Sequence, residues 1–205
     1  MSSKRSEQAA ETREKLLETA KSLFAEKGFH ATPVRLINRT IHMGDGILYH
    51  YFPGGKREIL AVLIRESFDR RREAMGQTNL IVEHLDLREA LLTFTRKLFE
   101  LFIADLDLMK ILFKGNDVLE LDESQRFSSW LEEQFSIFTH FLDRRRLNGE
   151  INTNLDVTLA TRQFLAMVMQ IGLSRITGIQ IVNEPDVDLY FERVVDFTIG
   201  LWKNS

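Results

Sequence analysis

Cysteine is missing from all 205 residues. That removes disulfide frameworks, thiolate zinc sites and cysteine nucleophiles, and it suits a reducing compartment, so a cytoplasmic location is expected. With 3 prolines and 11 glycines the chain is neither collagen-like nor low in complexity. Long apolar runs are missing as well. The longest, Phe164 to Leu173, is broken by Gln170 and falls well short of the roughly 20 residues a membrane-spanning helix needs. The opening Met1-Ser2-Ser3-Lys4-Arg5-Ser6-Glu7 has no apolar segment of a secretory signal. Enzyme signatures are lacking too: there is no P-loop, no Rossmann glycine pattern, no nucleophile elbow and no His-Glu-x-x-His. His84 and His140 each stand without a second ligand at helical spacing. No catalytic residue, metal or cofactor is therefore expected.

Hydrophobic residues make up 44% and charged residues 28%, the balance of a chain that folds around a core. The net charge of -3 hides an asymmetry: residues 1–57 carry 10 Lys and Arg against 6 Asp and Glu, the remainder 17 against 24. A basic head on an acidic body suits an anion-binding module joined to a module with another task.

Apolar spacing is helical almost throughout, and no stretch alternates like a strand. Leu16, Leu17, Ala20, Leu23 and Phe24 form one stripe before Gly28, predicting a first helix over 8–27. Thr32 offers a capping hydroxyl and Pro33 suits a first helical position, predicting a short second helix at 33–41. Ile47, Leu48, Tyr51 and Phe52 give a third of about two turns, closed by Pro53-Gly54-Gly55. A long fourth helix opens near Lys56 and is expected to weaken in the mid-seventies, around Gly76, Thr78 and Asn79. Asp86 with Glu89, and Asp122 with Gln125, have capping-box spacing ahead of later helices; the total is eight or nine. The fold class is all-α, a three-helix head at 1–57 followed by a larger helical domain at 58–205.

Two short helices joined by a tight turn make a helix-turn-helix, whose second member can enter a DNA major groove. Gly44 and Gly46 flank Asp45 where the backbone would approach a phosphate or base edge. With Leu48 and Phe52 facing a core, Tyr49 and His50 point outward as donors. Asp45 can cap the helix or accept from a cytosine amino group, and both readings stay open.

The order Leu23-Phe24…Gly28-Phe29…Thr32-Pro33-Val34…Ile37…Gly46-Ile47-Leu48-Tyr49-His50-Tyr51-Phe52-Pro53…Lys56 resembles the DNA-binding domain of the tetracycline-repressor-like (TetR) family, over residues 12 to about 64. The resemblance implies a homodimer on a palindromic operator in double-stranded DNA. By position it implies phosphate contacts from Thr32, Tyr49, His50, Tyr51 and Lys56, with Met43, Asp45, Gly46 and Ile47 nearest the bases; Arg35 joins this DNA-facing set. The chain departs from the pattern where Ile41-His42 stands for Ala-Gly, Asn38 for Ala and Gly44 for Ser, and Gly55 looks inserted. A histidine at a left-handed turn position costs roughly 1 kcal/mol.

Beyond residue 64 the resemblance implies an effector pocket and dimerisation through the last two helices. Twelve of the 15 phenylalanines lie there, with Met109, Met167 and Met169, as core or as the lining of a lipophilic site. Phe68, Phe99, Phe102, Phe113, Phe135, Phe138 and Met167 are the candidate pocket, and Phe164, Val168, Ile171, Tyr190, Val194 and Phe197 the candidate dimer interface. The function expected is a dimeric repressor released from its operator by a small lipophilic or aromatic effector. The competing reading is a helical lipophile-binding or protein-adaptor module that does not bind DNA.

Overall fold

The computed structural model describes residues 2–114, 125–182 and 185–204, and these form helices with no strand. In chain order the elements are α1 (Ser2–Lys27), α2 (Val34–Thr40), α3 (Ile47–Tyr51), α4 (Gly55–Val82), α5 (Leu87–Ile103), α6 (Leu106–Lys114), α7 (Gln125–Leu147), α8 (Val157–Thr177) and α9 (Val187–Asn204). No described helix is long and apolar enough to cross a membrane. Packing gives two compact units, Met1–Phe68 with Asp107–Phe127, and Asp69–Leu106 with Ser128–Ser205. The divide thus lies inside α4, between Phe68 and Asp69. Ile59, Leu60, Ile64 and Phe68, on the first turns of α4, are all buried, and Phe68 meets the ring of Phe127 at 5.6 Å. Apolar spacing shows that a helix has a buried face but not which partner covers it.

In the first unit, Leu16, Leu17, Ala20 and Phe24 of α1 are buried with Ile37, Leu48 and Phe52. α1 ends as expected at Gly28, in the left-handed region with φ +88°. Its start is six residues earlier than periodicity suggested, since the polar Ser2–Glu7 stretch carries no apolar stripe to reveal it. Pro33 is the residue before α2, with φ −74° and ψ 147°, rather than its first member. α3 is five residues long.

α4 outruns its expected end at the mid-seventies and reaches Val82. Thr78 returns its hydroxyl to the Ala74 carbonyl, and Met75 and Val82 are buried, so packing outweighs the weak helix formers between them. The last turn is held from α7: Arg145 donates to the carbonyls of Val82 at 3.1 Å and Leu85 at 2.7 Å, pairs with Glu150 at 3.0 Å, and lies over Phe141. The run Arg144-Arg145-Arg146 thus contains a buried clamp.

In the second unit α5, α8 and α9 pack together. Rings run through it from Phe94 to Phe138 at 4.6 Å, from Phe138 stacked on Phe164 at 5.2 Å, and on to Trp202 at 5.8 Å. Gly172 gives Phe102 its place, since a Cβ there would lie 2.5 Å from the ring. Asp86 caps α5 by accepting from Glu89 N–H at 2.9 Å, as its spacing predicted. The other capping pair involves Asp122, outside the described residues.

Candidate nucleic-acid interface

The turn between α2 and α3 is built by three polar contacts. Asn38, fully buried, donates from Nδ2 to the Asp45 carbonyl at 2.7 Å; the Met43 N–H donates to the Asn38 carbonyl at 2.9 Å, and the His42 N–H to Arg39 at 3.0 Å. His42 sits at φ +58°, the left-handed conformation that its place in the turn predicted. Asn38 is a functional residue that the sequence reading passed over. Its only signal was a polar residue where the resemblance has a small apolar one.

α3 is amphipathic over a turn and a half. Leu48 and Phe52 are inside, at 0% and 1% exposure, whereas Tyr49 is 53% exposed and His50 is exposed beside it. Tyr51 is half-buried, its ring edge-on to His50 at 5.0 Å. Met43 and Ile47 are half-buried, and Asp45 and Gly46 lie exposed at the head of the helix. Arg35 is exposed on α2, as is Arg39, which was not among the expected residues. Gly55, the apparent insertion, takes φ +68°, and a Cβ there would lie 3.3 Å from Cε1 of Tyr49, so the extra glycine lets the turn pass close beneath that ring.

Two expected phosphate contacts are corrected. Thr32 is fully buried, and its hydroxyl serves the Gly28 carbonyl at 2.8 Å and the Leu23 carbonyl at 3.2 Å, so it straps the end of α1 to the start of α2. The Lys56 ammonium donates to the carbonyls of Phe29 at 2.7 Å, Thr32 at 3.1 Å and His30 at 3.2 Å, and lies 4.7 Å from the Phe29 ring centroid. All three of its N–H donors are spent. Partial burial lowers its pKa below the usual lysine value. Lys56 therefore fixes α4 to the loop before α2 rather than reaching a phosphate. Sequence shows that a cation is present but not that three carbonyls surround it.

The candidate pocket residues are not gathered around one cavity. Phe68 and Phe113 belong to the first unit, where each meets Phe127. In the second, Phe99 lies edge-on to Phe191, Phe102 fills the space at Gly172, Phe135 carries the Arg162 guanidinium at 5.3 Å, and the Met167 carbonyl accepts from Tyr190. Of the seven, Phe138 borders a cavity of about 10 Å³ between Asn79, Glu83, Ala90, Phe94 and Phe141, and Met167 borders an open cleft of about 560 Å³ with Gln170, Tyr190 and Phe197. The smaller volume holds about one water. Of the candidate interface residues, Phe164, Val168, Ile171 and Val194 are buried within the protomer, which takes them out of any outer surface. Tyr190 is half-buried and Phe197 is 59% exposed.

A short helix with an apolar inner face and an aromatic-polar outer face, set by a locked turn after a second helix, defines a helix-turn-helix DNA-binding protein, here fused to an all-helical body. Residues 16–63 match the bacterial regulatory proteins of the tetR family. The repressor KstR2 of Rhodococcus jostii (strain RHA1) is 30% identical over 156 residues, covering 73% of this chain and 72% of that protein. The chain belongs to the TetR family of transcriptional regulators. YxaF of Bacillus subtilis (strain 168), an uncharacterized HTH-type regulator, is 43% identical over 75 residues, 37% of this chain and 34% of its own length. Among solved structures, the ketosteroid regulator KstR2 of Mycobacterium tuberculosis has a TM-score of 0.71 at 20% identity, covering 95% of this chain and 96% of that one. AibR, solved with isovaleryl coenzyme A and operator DNA, has a TM-score of 0.64 at 20% identity, covering 93% and 97%.

Proposed function

We propose that the protein is a homodimeric repressor that leaves a palindromic operator when a small lipophilic molecule enters its helical body. The observation that carries this reading is the outward face of α3: Tyr49 and His50 stand in solvent while Asn38, Thr32 and Lys56 hold the helix and turn from within. Tyr49, His50 and Arg35 contact phosphates, and Asp45, Gly46 and Ile47, with Met43 and Tyr51 beside them, lie nearest the base edges. The pairing surface is the outer side of α8 and α9, where Phe197 and Leu201 are exposed, with Tyr190 beside them and Leu159 on α8. The effector is lipophilic: rings and aliphatic side chains dominate the body's interior, and AibR, of the same fold, is solved in complex with isovaleryl coenzyme A. Since the cavity at Phe138 holds about one water, an effector seated there opens its own space and shifts the balance between two arrangements by its differential affinity. α4, which supplies residues to both units, is the element that would transmit the change.

The experiment is selection from a pool of random duplexes by the full chain, followed by affinity measurement across a salt series. Two inverted half-sites about 34–36 Å between centres, with affinity falling steeply as salt rises, support the reading. No retention on duplex DNA at low salt contradicts it and favours an adaptor role. Phe197→Lys should give a monomer by light scattering, and a mutant that stays fully dimeric removes the proposed pairing surface.

A further inference from the structure

We propose that Asp45 reads a cytosine in each half-site of the operator, its carboxylate accepting from the cytosine 4-amino group, and that Gly44 and Gly46 leave bare backbone on either side so that the base edge can come close. This deepens the regulator reading above and rests on it. Asp45 is the only acidic residue between Glu26 and Glu58, a stretch that carries Lys27, Arg35, Arg39, Lys56 and Arg57. An anion brought up to a phosphate-lined groove is repelled, and the repulsion is offset where the groove offers it a donor.

The carboxylate has no task among the described residues. No side chain caps α3, which starts after Gly46, so the capping role that the sequence left open is not taken up. The side chain is exposed, and no described cation or N–H meets it. Its main chain, by contrast, is fixed. The Asp45 carbonyl accepts from the fully buried Asn38 at 2.7 Å, and the Gly44 carbonyl accepts from the Ile47 N–H at 3.1 Å. Asp45 thus holds out unspent acceptors from an anchored backbone.

The flanking glycines are a second observation. A glycine is required where φ is positive, as at Gly28 and Gly55, or where a neighbour leaves no room for a Cβ. Neither reason holds at Gly44 or Gly46: neither has a positive φ, and a Cβ on either would meet nothing within 4 Å. The clearance they give is toward the outside of the head, beside an unpaired carboxylate. Base chemistry then selects the partner. A carboxylate only accepts. In the major groove guanine shows two acceptors, thymine an acceptor and a methyl group, and adenine a donor beside an acceptor, whereas cytosine shows a donor and no acceptor of its own.

The test is selection from a pool of random duplexes by the full chain, run in parallel for wild type, Asp45→Asn and Asp45→Ala, followed by affinity measurement on duplexes that differ at the selected position. Wild type should return a cytosine at one position of each half-site, and exchanging that base pair should weaken binding about tenfold, within the usual cost of one mismatched pair. Asp45→Asn should move the preference at that position alone to adenine, whose donor and acceptor an amide matches. Asp45→Ala should leave the position without a preference and bind duplexes lacking the cytosine more tightly than wild type does, since the repulsion is gone. Gly44→Ala and Gly46→Ala should keep or raise the melting temperature while weakening every selected duplex several-fold. A preference that neither Asp45 variant moves, a loss of affinity equal for all duplexes, or alanine variants of the glycines that bind like wild type would overturn the proposal and leave the regulator reading standing. A wild-type chain that holds no duplex at low salt overturns both.

Discussion

The two units differ in how many of their buried polar groups are met. In the first, Thr32 shares its one O–H between two carbonyls, Lys56 meets three and Asn38 Nδ2 one, with Asn38 Oδ1 alone left unpartnered among the buried side-chain atoms described, so polar atoms act as struts that hold α2 and α3 in one arrangement. In the second, Arg145 is tied to carbonyls at the end of α4, but Thr95, Gln134 and Thr198 keep buried oxygens without partners. A part that must meet a fixed DNA surface gains from having a single conformation. A part that, on the function proposed above, responds to a ligand gains from an arrangement that can change.

The largest expected effect is at the ring stack of the second unit. Phe138→Ala should cost about 3–5 kcal/mol by urea unfolding, because the ring is fully buried and touches Phe94, Phe141 and Phe164; a loss below about 1 kcal/mol would deny it that central place. In the first unit the strut at the turn comes next. Asn38→Ala should lose about 1–3 kcal/mol, since the Asp45 carbonyl is left without its donor, and duplex affinity should fall with it. Affinity unchanged in a destabilised variant would show that the turn does not position α3. Lys56→Met should lower stability by about 1 kcal/mol and leave the salt dependence of DNA binding untouched. His42→Gly should raise the melting temperature slightly, relieving roughly 1 kcal/mol of left-handed strain less the glycine's entropy.

The smallest effect belongs to the surface of the second unit. The hydrogen bond from Arg88 holds the Asp196 carboxyl below its ordinary value of 3.8. Its contribution is present above that ordinary value and disappears as pH falls through the lowered folded one. Both side chains are about half exposed, so Asp196→Asn should leave unfolding at neutral pH nearly unchanged. A large loss there would mean that α5 and α9 depend on ion pairs rather than on their rings.

Local rules made much of this visible before any coordinates. The apolar stripe of α1, the cap at Asp86, the left-handed His42 and the outward Tyr49 each follow from a few neighbouring residues. What the sequence hid was long-range. Lys56 meets carbonyls 24 to 27 residues away, Arg145 meets carbonyls at the end of α4 about 60 away, and the division of α4 depends on which stripe each partner covers. The aromatic residues of the body read from sequence as either core or pocket. Composition does not separate the two, because the same rings serve both uses.

The most direct test of the account is the slope of log affinity against log salt for a selected duplex, measured for wild type, Arg35→Ala and Lys56→Met. The account predicts that Arg35→Ala flattens the slope by about 0.9, the release of one counterion, and that Lys56→Met leaves it as it was. A slope unchanged by Arg35→Ala but flattened by Lys56→Met would contradict it, placing the phosphates on the side of the head where the lysine is tied.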